Sequence, residues 1–388
     1  MPTVKEIFLS FLHLGTTAFG GLAMVEPIRR RVVDQKKWLS QKEFLDGLAL
    51  CQMLPGATVV QLATYVGRRL QGFRGALAAA GAFILPGFIL MLGLSFLYFK
   101  YGNLPWAKAV SQGLGAAVIA LLLQTFWQLS KAIRRHWLDL AIAFLALLAL
   151  GARVNYLLVF LAAALSRVFF GIKLDPLNNH PGEIAPGPQT LPRSILAQTF
   201  LSLIGLAALL TGLFHLDRVL GQMALIFIKI GSISFGGGYV MIPILQWDVV
   251  DHLKWLTLRQ FLDGILLSYV TPGPLLILAA FVGFWLKGLP GALVGTISVF
   301  LPPILMIILL SPFYQSVKEA KWMRQVIQGI LAALIGFLVL VLVQMGRAAI
   351  TDVKTLSIML ASAAALIILE INLLWVIAAA AVCSLVIF

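Results

Sequence analysis

Two stretches of the chain read as one sentence written twice: WLSQKEFLDGLALCQMLPGATVV at 38–60 and WLTLRQFLDGILLSYVTPGPLLI at 255–277. Each carries an FLDG run and then a Pro-Gly pair inside an apolar stretch. In a helix interior proline costs about 3 kcal/mol and glycine about 1. Both stretches therefore predict a helix interrupted at the same relative place.

The surrounding sequence says what kind of helix this is. Of 388 residues, 61% are hydrophobic and 11% charged, against about 25% charged in a soluble domain. Apolar segments fall at about 5–28, 44–67, 74–99, 106–130, 138–150 and 154–170, then at about 194–214, 219–246, 261–284, 290–314, 323–346, 353–369 and 371–387. Many approach the ~20 residues that span a bilayer core. Segments of about ten residues with strict alternation, the mark of a membrane β-barrel, are missing. The fold class is all-α: a polytopic helical membrane protein. The stretch from Ile7 lacks a basic leader and a small-x-small cleavage site, so it reads as a retained first helix.

The net charge of +14 sits at the edges of apolar blocks, as in RRRVVDQKK (29–37), Arg68-Arg69 and KAIRR (131–135). That placement is membrane anchoring by the positive-inside rule, and no nucleic-acid partner is expected. A basic surface also gathers anions. Cys51 and Cys383 are too few for a disulfide framework. The five histidines show no ligand spacing, so neither a metal nor another cofactor is expected.

Shifting the chain by 216 residues aligns its halves. Phe19-Gly20-Gly21 falls on Phe235-Gly236-Gly237, Pro27 on Pro243, Pro86 on Pro302, Trp106 on Trp322 and Gly113 on Gly329. With one inserted residue, Asp34 meets Asp251, FLDG at 44–47 meets FLDG at 261–264, and Pro55-Gly56 meets Pro272-Gly273. The organisation is then a first repeat at 1–170, a Pro-rich linker at 171–193, an unmatched helix at 194–214 and a second repeat at 215–388. Such repeats are the usual build of secondary transporters, in which related halves rock about a midplane site.

The orientation of the repeats has two readings. If every segment crosses, seven crossings separate equivalent points and the repeats are inverted. If 44–67 turns back at Pro55-Gly56, the count is even and the repeats are parallel. The lysines and arginines at 26–43, 68–74, 131–135 and 167–193 then share one side, which the positive-inside rule favours.

Irregular backbone inside a membrane survives only where it is buried in protein or lines a wet cavity. Four breaks occur in matched pairs: Gly20-Gly21 with Gly236-Gly237-Gly238, and Pro55-Gly56 with Pro272-Gly273-Pro274. A broken helix presents free N–H groups and a partial positive charge, which bind anions. The plainer reading is close packing at glycine with kinks at proline. Lys229 and its match His13 each lie about two turns before a glycine break, and two basic groups there suit a dianion. Alternatively Lys229 snorkels and His13 is neutral and hydrogen-bonded. Asp46 and Asp263 are matched acids near the start of the broken segments. They serve as helix-dipole partners or as proton-coupling groups. Glu26, Glu370 and Arg29 to Arg31 read as surface charges and anchors. No GxxxxGK[ST], HExxH or GxSxG occurs, which argues against ATP hydrolysis by a P-loop and against an enzyme.

The stretches FGGLAMVEPI…WLSQKEFLDGLALCQMLPG and SFGGGYVMIPILQ…WLTLRQFLDGILLSYVTPGP closely resemble the two signature repeats of the chromate ion transporter family, in its long two-domain form. The resemblance covers essentially the whole chain. It implies a bacterial or archaeal inner-membrane protein, multi-pass in the lipid bilayer, that exports chromate and confers chromate resistance. It also implies oppositely oriented halves. The cargo is then a small inorganic oxyanion, with sulfate as the alternative to chromate, and a homodimer stays open. The first repeat departs from the pattern, with PGA at 55–57 against PGP at 272–274 and GGL at 20–22 against GGG at 236–238. The first break is therefore expected to be the less open or less critical of the two.

Overall fold

The computed structural model describes residues 2–17, 24–102, 104–133, 136–174, 193–234, 241–311 and 321–388. Among these residues the regular elements are all helices. The first repeat holds α1 (Val4–Thr17), α2 (Val25–Arg29, continuing as a π-helical turn, Arg30–Gln35), α3 (Gln41–Met53), α4 (Thr58–Tyr101), α5 (Pro105–Ile133), α6 (Trp137–Gly151) and α7 (Tyr156–Leu174). The unmatched helix is α8 (Arg193–Leu216). The second repeat holds α9 (Arg218–Ile233), α10 (Met241–Leu245, continuing as a π-helical turn, Gln246–His252), α11 (Leu258–Val270), α12 (Leu278–Leu310, entered through a 3-10 turn, Leu275–Ile277), α13 (Lys321–Ala349), α14 (Val353–Ile367) and α15 (Leu373–Ile387).

The repeat read from sequence recurs in the backbone. Gln71 and Gly72 (φ −139° and 60°) are matched by Lys287 and Gly288 (φ −143° and 59°). Positive φ recurs at Lys37 and Lys254, Gly56 and Gly273, and Arg153 and Glu370. Both α3 and α11 start in reciprocal capping boxes, which occupy two free N–H groups at once. Ser40 Oγ accepts from Glu43 N while Glu43 Oε2 accepts from Ser40 N. Thr257 and Gln260 repeat the pattern. The one-residue insertion between the repeats falls inside the π-helical turns, six residues long in the first repeat and seven in the second. A π turn is where an α-helix absorbs an extra residue.

Apolar segments are not the same as crossings. Among the described residues four helices are long and apolar enough to span a membrane: Thr58–Tyr101, Pro105–Lys131, Leu275–Leu310 and Trp322–Ala349. Two belong to each repeat. Even α4 is two helices, because at Gln71-Gly72 the chain doubles back. A β-carbon on Gly67 would collide with the Gly75 carbonyl and one on Gly75 with the Gly67 carbonyl, whereas eight residues along a straight helix are about 12 Å apart. Gly283 and Gly291 repeat this in α12.

The first arm of α4, 58–70, also runs back along α3. A side chain at Gly47 would strike the Tyr65 ring, and Arg69 pairs with Glu43 at 3.3 Å. Each arm has about thirteen residues and a length near 20 Å, short of the ~30 Å bilayer core. Thus 44–67 is a re-entrant hairpin with its tip at Pro55-Gly56. The preceding segment turns back too. Gln71 Nε2 donates to Pro2 O at 2.8 Å, and the Glu6 carboxylate feels the charge of Lys36. The start of α1, the end of α2 and the base of the hairpin thus share one face.

This corrects the link between a hairpin and parallel repeats. Asp217, at the start of α9, pairs with Lys287 as Pro2 pairs with Gln71. Crossings in the second arm of α4, in α5 and in α8 would separate these equivalent points. The α6–α7 pair, closed by a tight turn at Arg153 (φ 62°), would add an even number. The count would then be odd, which is the inverted arrangement that the family resemblance implies. In a background lacking Cys51 and Cys383, single cysteines at Lys36 and Gln71 are expected to label from one membrane face and a cysteine at Lys287 from the other. Labelling of all three from one face would mean parallel repeats.

The chain forms two compact units, each drawn from both repeats. One comprises Met1–Ser95, His180–Met241 and Thr271–Ala320; the other comprises Phe96–Asn179, Ile242–Val270 and Lys321–Phe388. In the first unit, Gly15 packs on the Phe83 carbonyl and its match Gly231 on the Val299 carbonyl. These are close approaches of the kind that hold membrane helices together. In the second unit the repeats exchange partners: α5 packs on α14 and α15, and α13 on α6 and α7. A buried ion pair ties this unit, with Arg167 Nε 3.0 Å from Asp139 Oδ1 and Arg167 Nη2 donating to Gln328 Oε1 at 3.0 Å.

Candidate functional site

The best-defined break is Leu54-Pro55-Gly56, in the first unit. Proline disfavours helix at the residue before it, and Leu54 is extended (ψ 145°). Gly56 then takes φ 129°, a conformation open essentially to glycine. Its N–H donates to the Ser234 carbonyl at the end of α9, immediately before the second glycine break in sequence. A side chain at Gly56 would collide with Pro303 of α12. The second break makes the reciprocal contact, since a side chain at Gly87 would strike the Pro272 carbonyl. Gly87 and Pro303 are equivalent positions, so each Pro-Gly break is seated on the long helix of the other repeat.

The two breaks lead into helix starts of different polarity. The first arm of α4 begins TVVQLAT, with Thr58, Gln61 and Thr64 all buried. The N–H groups of Thr58, Val59 and Val60 come before the first intrahelical acceptor and are enclosed with their residues. Gln61 Nε2 reaches back to Pro55 O at 2.7 Å, leaving its Oε1 without a donor. Ser234 Oγ is also buried and unpartnered. After the second break stand Leu275, Leu276 and Ile277, all buried and apolar. Buried polar side chains are therefore concentrated at the helix start after the first break and not at that after the second. The excess of polar residues in TVVQLAT over PLLILAA was visible in the sequence.

Pro55 is half-buried, and Gly56, Pro272, Gly273 and Pro274 are buried. Gly20, Gly21, Gly236, Gly237 and Gly238 lie outside the described residues. Lys229 is half-buried on α9, five residues before Ser234. His13 sits on an exposed face of α1 with Leu9, Thr16 and Thr17.

The matched acids are placed differently. Asp263 is buried in the second unit, where Tyr98 Oη and Ser111 Oγ donate to its two oxygens at 2.7 and 2.6 Å. Asp46 is half-buried in the first unit, with its charge felt at Tyr65. Neither acid caps its helix, because Ser40 with Glu43 and Thr257 with Gln260 do so. Sequence reading missed Gln61, Ser234, Tyr98 and Ser111. Tyr98 and Ser111 stand 165 and 152 residues from Asp263, and nothing local announces them.

Comparison with known proteins finds both repeats. The family model "Chromate transporter" matches residues 5–168 and again 221–385, the two repeats. A probable chromate transport protein of Synechococcus elongatus is 33% identical over 91% of this chain and 87% of its own. A chromate transport protein of Cupriavidus metallidurans is 29% identical over 94% and 88%. An uncharacterized transporter of Methanocaldococcus jannaschii is 31% identical over 93% and 89%. No solved structure matches. With both repeats matched and the helical membrane architecture in place, the chain belongs to the chromate transporter family.

Proposed function

We propose that this protein exports a tetrahedral oxyanion, chromate first, across the inner membrane of a prokaryotic cell by alternating access, with the substrate held at the paired Pro-Gly breaks. The observation that carries this reading is the first break, where a buried helix start, whose first N–H groups have no acceptor within the helix, is pinned through Gly56 to the end of α9. Helix starts of this kind bind anions, and discontinuous helices at matched positions mark transport sites. The relatives' names support chromate as cargo. At an inside-negative potential of about 100 mV, expulsion of an anion is favoured by about 2.3 kcal/mol per charge. Export thus proceeds without ATP. The compact units, rather than the repeats, are the natural bodies of the cycle.

Lys229 is assigned to draw the anion to the break, and Asp263, with Asp46 as its counterpart, to proton coupling. Loss of a close charge costs about 1.5 kcal/mol or more, so Lys229→Ala is expected to lower chromate flux roughly tenfold or more with unchanged membrane abundance. Wild-type flux in that variant would remove Lys229 from the site. The second reading is a carrier or channel for sulfate or another anion. Chromate uptake into inverted vesicles, with sulfate as competitor, separates the two. If the protein changes neither chromate flux nor chromate resistance, the chromate assignment fails.

A further inference from the structure

We infer that the first break selects an oxyanion carrying one proton, hydrogen chromate in the case of chromate, over one that carries none. The inference rests on the proposed reading of this break as the substrate site. The buried Gln61 carboxamide is fixed in orientation, because Nε2 donates to Pro55 O at 2.7 Å. A flipped amide would set two carbonyl oxygens against each other. Gln61 Oε1 is therefore a buried acceptor without a donor. A buried polar group left unpaired is costly, so a ligand seated here must bring an O–H or N–H to it.

The same break presents donors. These are the N–H groups of Thr58, Val59 and Val60 and the unpartnered hydroxyl of Ser234. A metal cation satisfies Oε1 but faces those donors badly. A fully deprotonated dianion satisfies the donors but sets an oxygen against Oε1. A tetrahedral anion with one hydroxyl satisfies both, its hydroxyl donating to Gln61 and its other oxygens accepting from the helix start and Ser234. The second proton of chromate is held weakly near neutrality, whereas sulfate has none to offer. The site thereby separates two ions of nearly the same shape.

The test uses the full chain in proteoliposomes at one fixed, slightly acidic pH. Chromate flux is competed by methylphosphonate, a monoanion with one hydroxyl, and by methanesulfonate, of the same shape and charge without it. A site built to bond a hydroxyl rejects the analogue lacking it. Methylphosphonate is expected to compete about tenfold or more better than methanesulfonate. In Gln61→Met that preference is expected to disappear, while Ser234→Ala weakens both competitors alike. Equal competition in the wild type overturns the inference while leaving the transport reading intact, and it requires no variant to fold. A preference that survives Gln61→Met, or sodium-dependent flux that Gln61→Met abolishes, overturns it as well. Absence of chromate flux in the wild type overturns both readings.

Discussion

Gly56→Ala is expected to abolish most chromate transport while the protein remains in the membrane. The position takes φ 129°, which costs a residue with a β-carbon about 1–3 kcal/mol. The added methyl also runs into Pro303 of α12, and overpacking of this kind costs about 1–3 kcal/mol more. Together these predict a loss of roughly 30-fold or more in flux, measured as initial chromate uptake into inverted vesicles and normalised to transporter abundance. Gly273→Ala makes an informative partner. It shares the unfavourable φ, 116°, but a β-carbon there meets nothing within 4 Å, so only the strain of about 1–3 kcal/mol applies. Gly81→Ala, in the second arm of α4 with open space around it, should leave flux unchanged. Equal loss at Gly56 and Gly273 would mean that the contact with Pro303 is irrelevant.

The second large effect concerns stability. Arg167 and Asp139 are nearly inaccessible, with side-chain exposures of 1% and 7%. Arg167→Ala removes a buried counter-charge of Asp139, a loss of up to about 3–5 kcal/mol. Thermal unfolding in detergent should shift strongly downward, and abundance in the membrane should fall. Replacing both partners by apolar residues of similar size is often neutral, so Arg167→Met with Asp139→Leu should recover most of the loss. The second repeat shows that the fold tolerates a neutral solution. At the position equivalent to Arg167 stands Ser384, which donates to Ala109 O and accepts from Gly113 N. A double variant as unstable as Arg167→Ala would refute the ion-pair account.

Much of this architecture is legible in the chain itself. The 216-residue offset also aligns the reversals at Gly72 and Gly288, where glycines and charges interrupt the apolar runs. The capping boxes stand in plain sight as S-x-x-E in WLSQKE and T-x-x-Q in WLTLRQ. The interrupted helix at Pro55-Gly56 followed from backbone chemistry alone, and charge bias favoured a hairpin there. Hydropathy left the orientation of the repeats open, because it cannot distinguish a segment that crosses from one that enters and returns. The contacts of Pro2 with Gln71 and of Asp217 with Lys287 show equivalent points of the two repeats in equivalent surroundings. A match in sequence does not fix a side chain's surroundings. Asp46 and Asp263 match in sequence but differ in burial and partners, and the two Pro-Gly breaks match in backbone but differ in polarity. Symmetry fixes where the chain bends, and side chains then give each bend its own chemistry.

The seat proposed for the anion is the first break, against the start of α4. A structure determined with chromate bound, with chromium located by its anomalous scattering, tests that seat without relying on any variant. The ion is expected within hydrogen-bond distance, about 2.7–3.2 Å, of the N–H groups of Thr58 to Val60, with Ser234 and Gln61 at its sides. Chromium found instead among Arg29, Arg30 and Arg31, with the first break closed and vacant, would refute it.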